Sequence, residues 1–189
     1  MRDFLSTKIL PREVAVQALA VDGPKRAYGD PLLKSPPLYG EFLLRLQAAG
    51  VIEFTREACV EQVDCLFVGK SDGRQRLVID CRRANRHFAD PAPVSLATGD
   101  SLARLDASSV SSGMVVGQVD IKDAFYRMAL PEALRPYFGL RQVPARFLGL
   151  TSLNGEAVGL NTPIHPRMRC LPRGWTWPCG GAKQFMRER

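Results

Sequence analysis

The residue types best suited to chemistry gather in the middle of the chain: Asp120, Asp123 three residues on, Ala124, and the aromatic pair Phe125-Tyr126. Met114, Val115, Val116 and Val119 read as a buried strand that delivers Asp120 to its end. A charge there is costly unless a cation or hydrogen bonds offset it, so the pattern points to chemistry rather than packing. Ala124 is small enough for a ligand to lie against backbone, and Phe125-Tyr126 sets an aromatic wall beside the acids. The same stretch also suits a plainer arrangement, a strand ending in an exposed Asp before a short helix, with both aromatics in the core.

A second cluster is cationic. Cys65 to Lys70 and Gln75 to Asp80 are β-rich runs joined by Ser71-Asp72-Gly73-Arg74, which predicts a hairpin. Alternation puts Arg76, Val78 and Asp80 on one face, with Leu77 and Ile79 on the other, and Lys70 lies across the turn. Two cations on a stiff hairpin suit a triphosphate, because Arg grips phosphate oxygens bidentately and Lys supplies a point charge. Taken alone, these residues read more simply as a solvated hairpin with ordinary surface cations.

Together these stretches resemble reverse transcriptases, the RNA-directed DNA polymerases of retroelements such as retrotransposons. Asp120-Ile121-Lys122-Asp123-Ala124-Phe125-Tyr126 resembles the first palm motif of that family. The run from Lys70 through Arg76, Asp80 and Arg82 to Asn85 resembles its fingers hairpin, and Leu171-Pro172-Arg173-Gly174-Trp175 its second palm motif. The three stand in the family's order within residues 38–178, about three quarters of the chain. The fold class implied is α+β: a right-hand fingers and palm fragment, an antiparallel sheet with flanking helices, truncated before the second catalytic hairpin. Residues 1–37 would be an N-terminal extension and Pro-rich linker, with the hairpin at about 65–85 and the palm from about 113.

The resemblance also implies roles. Asp120 would be catalytic and would hold Mg2+ together with the carbonyl of Ile121. Lys70, Arg76, Asp123, Ala124, Phe125, Arg173 and Gly174 would contact the dNTP, although the family usually carries an uncharged residue at the position of Arg173. Phe125 would stand under the sugar and exclude a 2′-hydroxyl, which favours DNA synthesis. Asp80, Arg82 and Asn85 would brace fingers against palm, and an RNA template and DNA primer would be the partners. Polymerases of this kind use two metal ions. The Tyr-x-Asp-Asp that supplies the remaining carboxylates does not occur after the second palm motif, so the expectation is an incomplete site, inactive in this chain alone. The alternatives are a non-catalytic basic nucleic-acid-binding module and a decayed retroelement relic.

Around these motifs the pattern is plainer. Val14 to Ala20 suggests a weak helix followed by a linker that need not pack tightly. Leu38, Phe42, Leu46 and Ala49 share a helical face, with Gly50 where a C-terminal cap belongs, and Val51 to Phe54 reads as extended. His87 reads as a surface residue, and a short helix is expected near Ser101 to Leu105. Pro131 opens a helix, Tyr137 to Leu140 reads as a strand, and Leu153-Asn154-Gly155-Glu156 as a tight turn within a strand pair. Cys179 to Arg189 is a poor helix start because paired Gly weakens it.

Composition sets the frame. The 189 residues, 46% of them hydrophobic and 24% charged, suit one globular domain. Twenty-six Lys and Arg against nineteen Asp and Glu favour an anionic partner. The five cysteines show no CxxC spacing and the two histidines stand far apart, which argues against zinc and against a disulfide framework. No apolar run approaches about 18 residues, so no membrane association is expected, and the implied location is intracellular, cytoplasmic or nuclear.

Overall fold

A computed structural model of the protein describes residues 7–91, 99–104, 106, 117 and 119–177. It is mixed α/β, of the α+β kind, with small antiparallel sheets. β1 (Ile52–Thr55), β7 (Pro163–Met168) and β4 (Val143–Pro144) form one sheet in the order β1-β7-β4, in register Ile52↔Met168 and Val143↔Ile164. β7 alternates as a half-buried strand should: Ile164, Pro166 and Met168 turn inward, while Arg167 turns out to bond Glu53 at 2.6 Å. β2 (Asp64–Gly69) and β3 (Gln75–Asp80) make the expected hairpin, with Gly73 at φ +78 in its turn. β5 (Ser152–Leu153) and β6 (Glu156–Ala157) flank Asn154 and Gly155, both at positive φ, as a tight hairpin turn requires.

The helix Pro36–Ala48 starts on two prolines, whose missing N–H groups are not needed in a first turn, and is followed by Gly50 at φ +72. Its buried face is Tyr39, Gly40 and Leu43, rotated from the expected line. Phe42 and Leu46 are partly buried, but Leu38 is 53% exposed and Ala49 is exposed. Gly40 decides this: a Cβ there would overlap the Phe147 carbonyl, so the helix docks backbone-first on the 3-10 helix Ala145–Leu148 and carries Tyr39 inward. The Tyr39 hydroxyl donates to the Arg141 carbonyl at 2.8 Å, which satisfies its polar end.

Four further expectations change. Glu132–Phe138 is a 3-10 helix, so Tyr137 and Phe138 are not strand. Pro131 and Pro136 cannot donate to a ladder, and the turn rotates Phe138 against Phe88 and Trp175, with ring centroids 5.8 and 5.1 Å away. His87 is buried rather than on the surface, 3.1 Å from the Glu61 carboxylate. The stretch after the helix Arg12–Asp22 is no loose linker: Tyr28 N–H donates to Asp80 at 2.7 Å, Asp30 N–H to the Cys65 carbonyl at 2.8 Å, and Arg83 to the Pro24 carbonyl at 2.8 Å. Val119 is 89% exposed and residues 119–121 form no strand, so Asp120 does not close a buried strand there; Met114, Val115 and Val116 lie outside the described residues, as do Cys179 to Arg189. The short helix expected near Ser101 is Gly99–Ala103. Among the described residues no helix is long and apolar enough to cross a membrane.

Candidate functional site

β3, the segment 120–126 and the turn at Arg173 are far apart in sequence, and three sets of hydrogen bonds hold them together. Ile79 N–H donates to the Arg173 carbonyl at 3.1 Å, which lays the Leu171–Trp175 turn on β3. Asn85 then clamps that turn from both sides, donating to the Gly174 carbonyl and accepting from Thr176 N–H, each at 3.3 Å. Met128 to Leu130 runs beside Arg169 to Leu171, with Leu130 N–H on the Arg169 carbonyl at 2.7 Å and Leu171 N–H on the Met128 carbonyl at 3.0 Å. Finally the Tyr126 hydroxyl donates to the Leu77 carbonyl at 3.2 Å, tying the short helix Ala124–Arg127 to the hairpin. Burial pushes the Tyr126 phenol up to about 12, against the opposing pull of nearby Arg173, so it stays a donor at neutral pH.

Gly174 is essential to this closure. Its φ is +135, and a Cβ would run into the Ile79 carbonyl oxygen. The close approach that glycine permits is thus to the protein's own hairpin. Gly174 does not line the cleft that results, whereas Arg173 beside it does.

That cleft has a volume of about 920 Å³ and is lined by Lys70, Arg74, Gln75 and Arg76 from the hairpin, Asp120 through Tyr126, and Arg173. Lys70, Arg76, Asp120, Ile121, Asp123, Ala124, Phe125 and Arg173, all singled out from sequence, therefore share one cavity. Tyr126, expected as part of an aromatic wall beside the acids, also lines it, as do Lys122, Arg74 and Gln75, which were not assigned to it from sequence. The signal for Lys122 was its place between the two acids.

Backbone geometry presents the acids. Asp123 sits at φ +55, a left-handed conformation Asp tolerates, and so turns the chain into the short helix. Its side chain makes no capping bond, and both Asp120 and Asp123 are exposed to the cleft solvent. Among the described residues, Lys70, Arg76, Lys122 and Arg173 have no side-chain hydrogen bond or ion pair, whereas Arg74 is held by Asp72 at 2.6 Å. The bracing residues behave differently. Asp80 is buried and accepts from Tyr28 N–H at 2.7 Å and from Arg82 at 2.8 and 2.9 Å. Burial raises its carboxyl, but these bonds outweigh that and hold it below the usual range.

For a divalent ion, the cleft offers the Asp120 and Asp123 carboxylates and the main chain at Ile121. Mg2+ is commonly held by one or two carboxylates plus substrate phosphates and water. Two carboxylates and one main-chain oxygen are what the lining offers such an ion; among the described residues no cluster of three or more His, Cys, Asp or Glu could form an all-protein cage. A second cleft, about 490 Å³, is lined by Asp22, Arg82, Asn85, Arg86 and Asp90 among others, but its arginines are engaged, Arg82 by Asp80 and Arg86 by Asp22 at 2.9 Å. The larger cleft holds the uncommitted charge. Set against protein-family models and curated proteins, the chain matches no family model and no curated protein.

Proposed function

We propose that the cleft is a nucleoside triphosphate site and that the chain is the fingers and partial palm of an RNA-directed DNA polymerase of the reverse transcriptase type. One observation carries this reading: residues from three separate stretches, each resembling a different motif of that family, line the same cavity. Lys70 and Arg76 would hold the phosphates, Asp120 with Ile121 would hold Mg2+, and Phe125 with Ala124 would face the sugar. When bound, the ion would neutralise phosphate charge and activate the attacking hydroxyl. The chain's own residues bind and orient the nucleotide, with the hairpin fixed by Asp80 and Arg82 and the turn fixed by Asn85.

The test is titration of a dNTP into the purified chain with Mg2+. Arg76→Ala removes a charge-assisted contact of about 1.5–3 kcal/mol, so affinity is expected to fall roughly ten- to a hundredfold. Asp120→Ala should weaken only the Mg2+-dependent part. Affinity unchanged by both substitutions would sink the proposal.

The carboxylate count favours a second reading of limited scope, binding without catalysis, because the cleft holds two acids and one of them must serve any ion. Template-dependent dNTP incorporation by these 189 residues alone is expected to be undetectable, and a primer-extension assay checks it.

A further inference from the structure

We infer that the cleft grips a polyphosphate tail through its cations without a divalent ion, and that Arg173 is the residue on which this metal-independent grip turns. The inference rests on the nucleotide reading above and adds the chemistry of recognition.

Four side chains that make no hydrogen bond or ion pair among the described residues, Lys70, Arg76, Lys122 and Arg173, line one cavity together with two carboxylates, Asp120 and Asp123. Arg74 adds nothing to the balance, since Asp72 neutralises it at 2.6 Å. Cations therefore exceed acids by two before any ion enters. A compact polyanion answers such a cluster, because phosphate oxygens satisfy guanidinium donors in pairs and ammonium groups singly. A nucleic-acid backbone would call for a basic stripe along a surface. Here the cations come from the hairpin, from the segment between the acids and from the turn that lies on β3, and line one cavity.

Arg173 has the best-anchored origin of the four. Its carbonyl receives Ile79 N–H at 3.1 Å and the next carbonyl receives Asn85 at 3.3 Å, while its side chain is exposed. The guanidinium thus leaves a fixed point on β3 and lines the same cavity as Lys70 and Arg76. Lys122 sits between the two acids in sequence, whereas Arg173 comes from a separate turn.

The experiment is calorimetric titration of the full chain with inorganic tripolyphosphate and with a dNTP, each in Mg2+ and in EDTA at equal ionic strength. Both ligands are expected to bind in EDTA within about threefold of their Mg2+ affinity and to weaken as salt rises. Arg173→Ala should lower the EDTA affinity roughly tenfold, and Arg173→Lys should keep it within about threefold because the charge survives. Circular dichroism checks that both variants fold, as an exposed side chain allows. Binding of the dNTP in Mg2+ with none of either ligand in EDTA would overturn this inference and leave the nucleotide reading standing. Tripolyphosphate bound in EDTA without any dNTP binding would uphold the cation grip and remove the nucleotide. An Arg173→Ala chain that matches the parent in EDTA, or a single-stranded oligonucleotide that displaces tripolyphosphate more strongly than the dNTP does, would overturn it.

Discussion

Gly174→Ala is expected to lower the melting temperature by about 4–24 °C and to abolish the dNTP binding proposed for the cleft. The residue sits at φ +135, where a side chain is strained by about 1–3 kcal/mol. The added methyl also meets the Ile79 carbonyl oxygen in β3, and neither backbone can give way without breaking the Ile79 to Arg173 bond. Overpacking of this kind adds about 1–3 kcal/mol more, and at this chain length each kcal/mol is worth about 2–4 °C. Binding fails with it because the same turn carries Arg173 and is clamped by Asn85. Thermal melting and the dNTP titration read the two effects separately. A variant that melts with the parent would show that the turn does not lie on β3 as described.

The second large effect is at Glu61, far from the cleft. Its carboxylate is buried and accepts from Arg83 at 2.8 and 3.1 Å, from Gln62 N–H at 2.9 Å, and lies 3.1 Å from His87. Burial pushes the carboxyl up, but the His87 and Arg83 bonds outweigh it and bring it from the ordinary 4.5 down to about 2. A folded value below the unfolded one stabilises the fold above the unfolded value, and that stability is lost as pH falls towards the folded value. Between roughly pH 5 and pH 2 the chain should therefore lose about 3 kcal/mol from this group. Glu61→Gln should flatten that acid limb and cost about 1.5–3 kcal/mol at neutral pH, since the half-buried Arg83 would lose its carboxylate partner. Urea midpoints measured across pH decide this. Equal acid limbs in parent and variant would remove Glu61 from the account. The loss would reach beyond one residue, because Arg83 also holds the Pro24 and Lys25 carbonyls and so the N-terminal segment.

Local chemistry was legible where neighbours in sequence decide the backbone. Asp72-Gly73 and Asn154-Gly155 specify turns through positive φ, and the β-rich runs beside the first leave the strands little choice. Pro36-Pro37 and Gly50 mark the ends of a helix for the same reason. The rotation of that helix was not legible, because Gly40 looked like a gap in the apolar pattern and only Phe147, over a hundred residues on, gives it a role. The turn at Tyr137 had strand-forming residues but two prolines and an aromatic cluster to join, and tertiary packing overrode the local preference. His87 could not be placed in the interior without its partner Glu61, which a sequence pattern does not pair with it.

By itself the sequence determined which residue types are on offer for chemistry, since the identity of a cation, a carboxylate or an aromatic ring is a property of the residue and its immediate neighbours. Only the tertiary structure decided that Lys70, Arg76, Asp120, Asp123 and Arg173 line one cavity, that Gly174 serves the hairpin rather than the cavity, and that Lys122 joins them. The reason is that such convergence depends on a few long-range backbone contacts, Ile79 to Arg173, Met128 to Leu171 and Tyr126 to Leu77, whose partners are chosen by packing rather than by spacing along the chain.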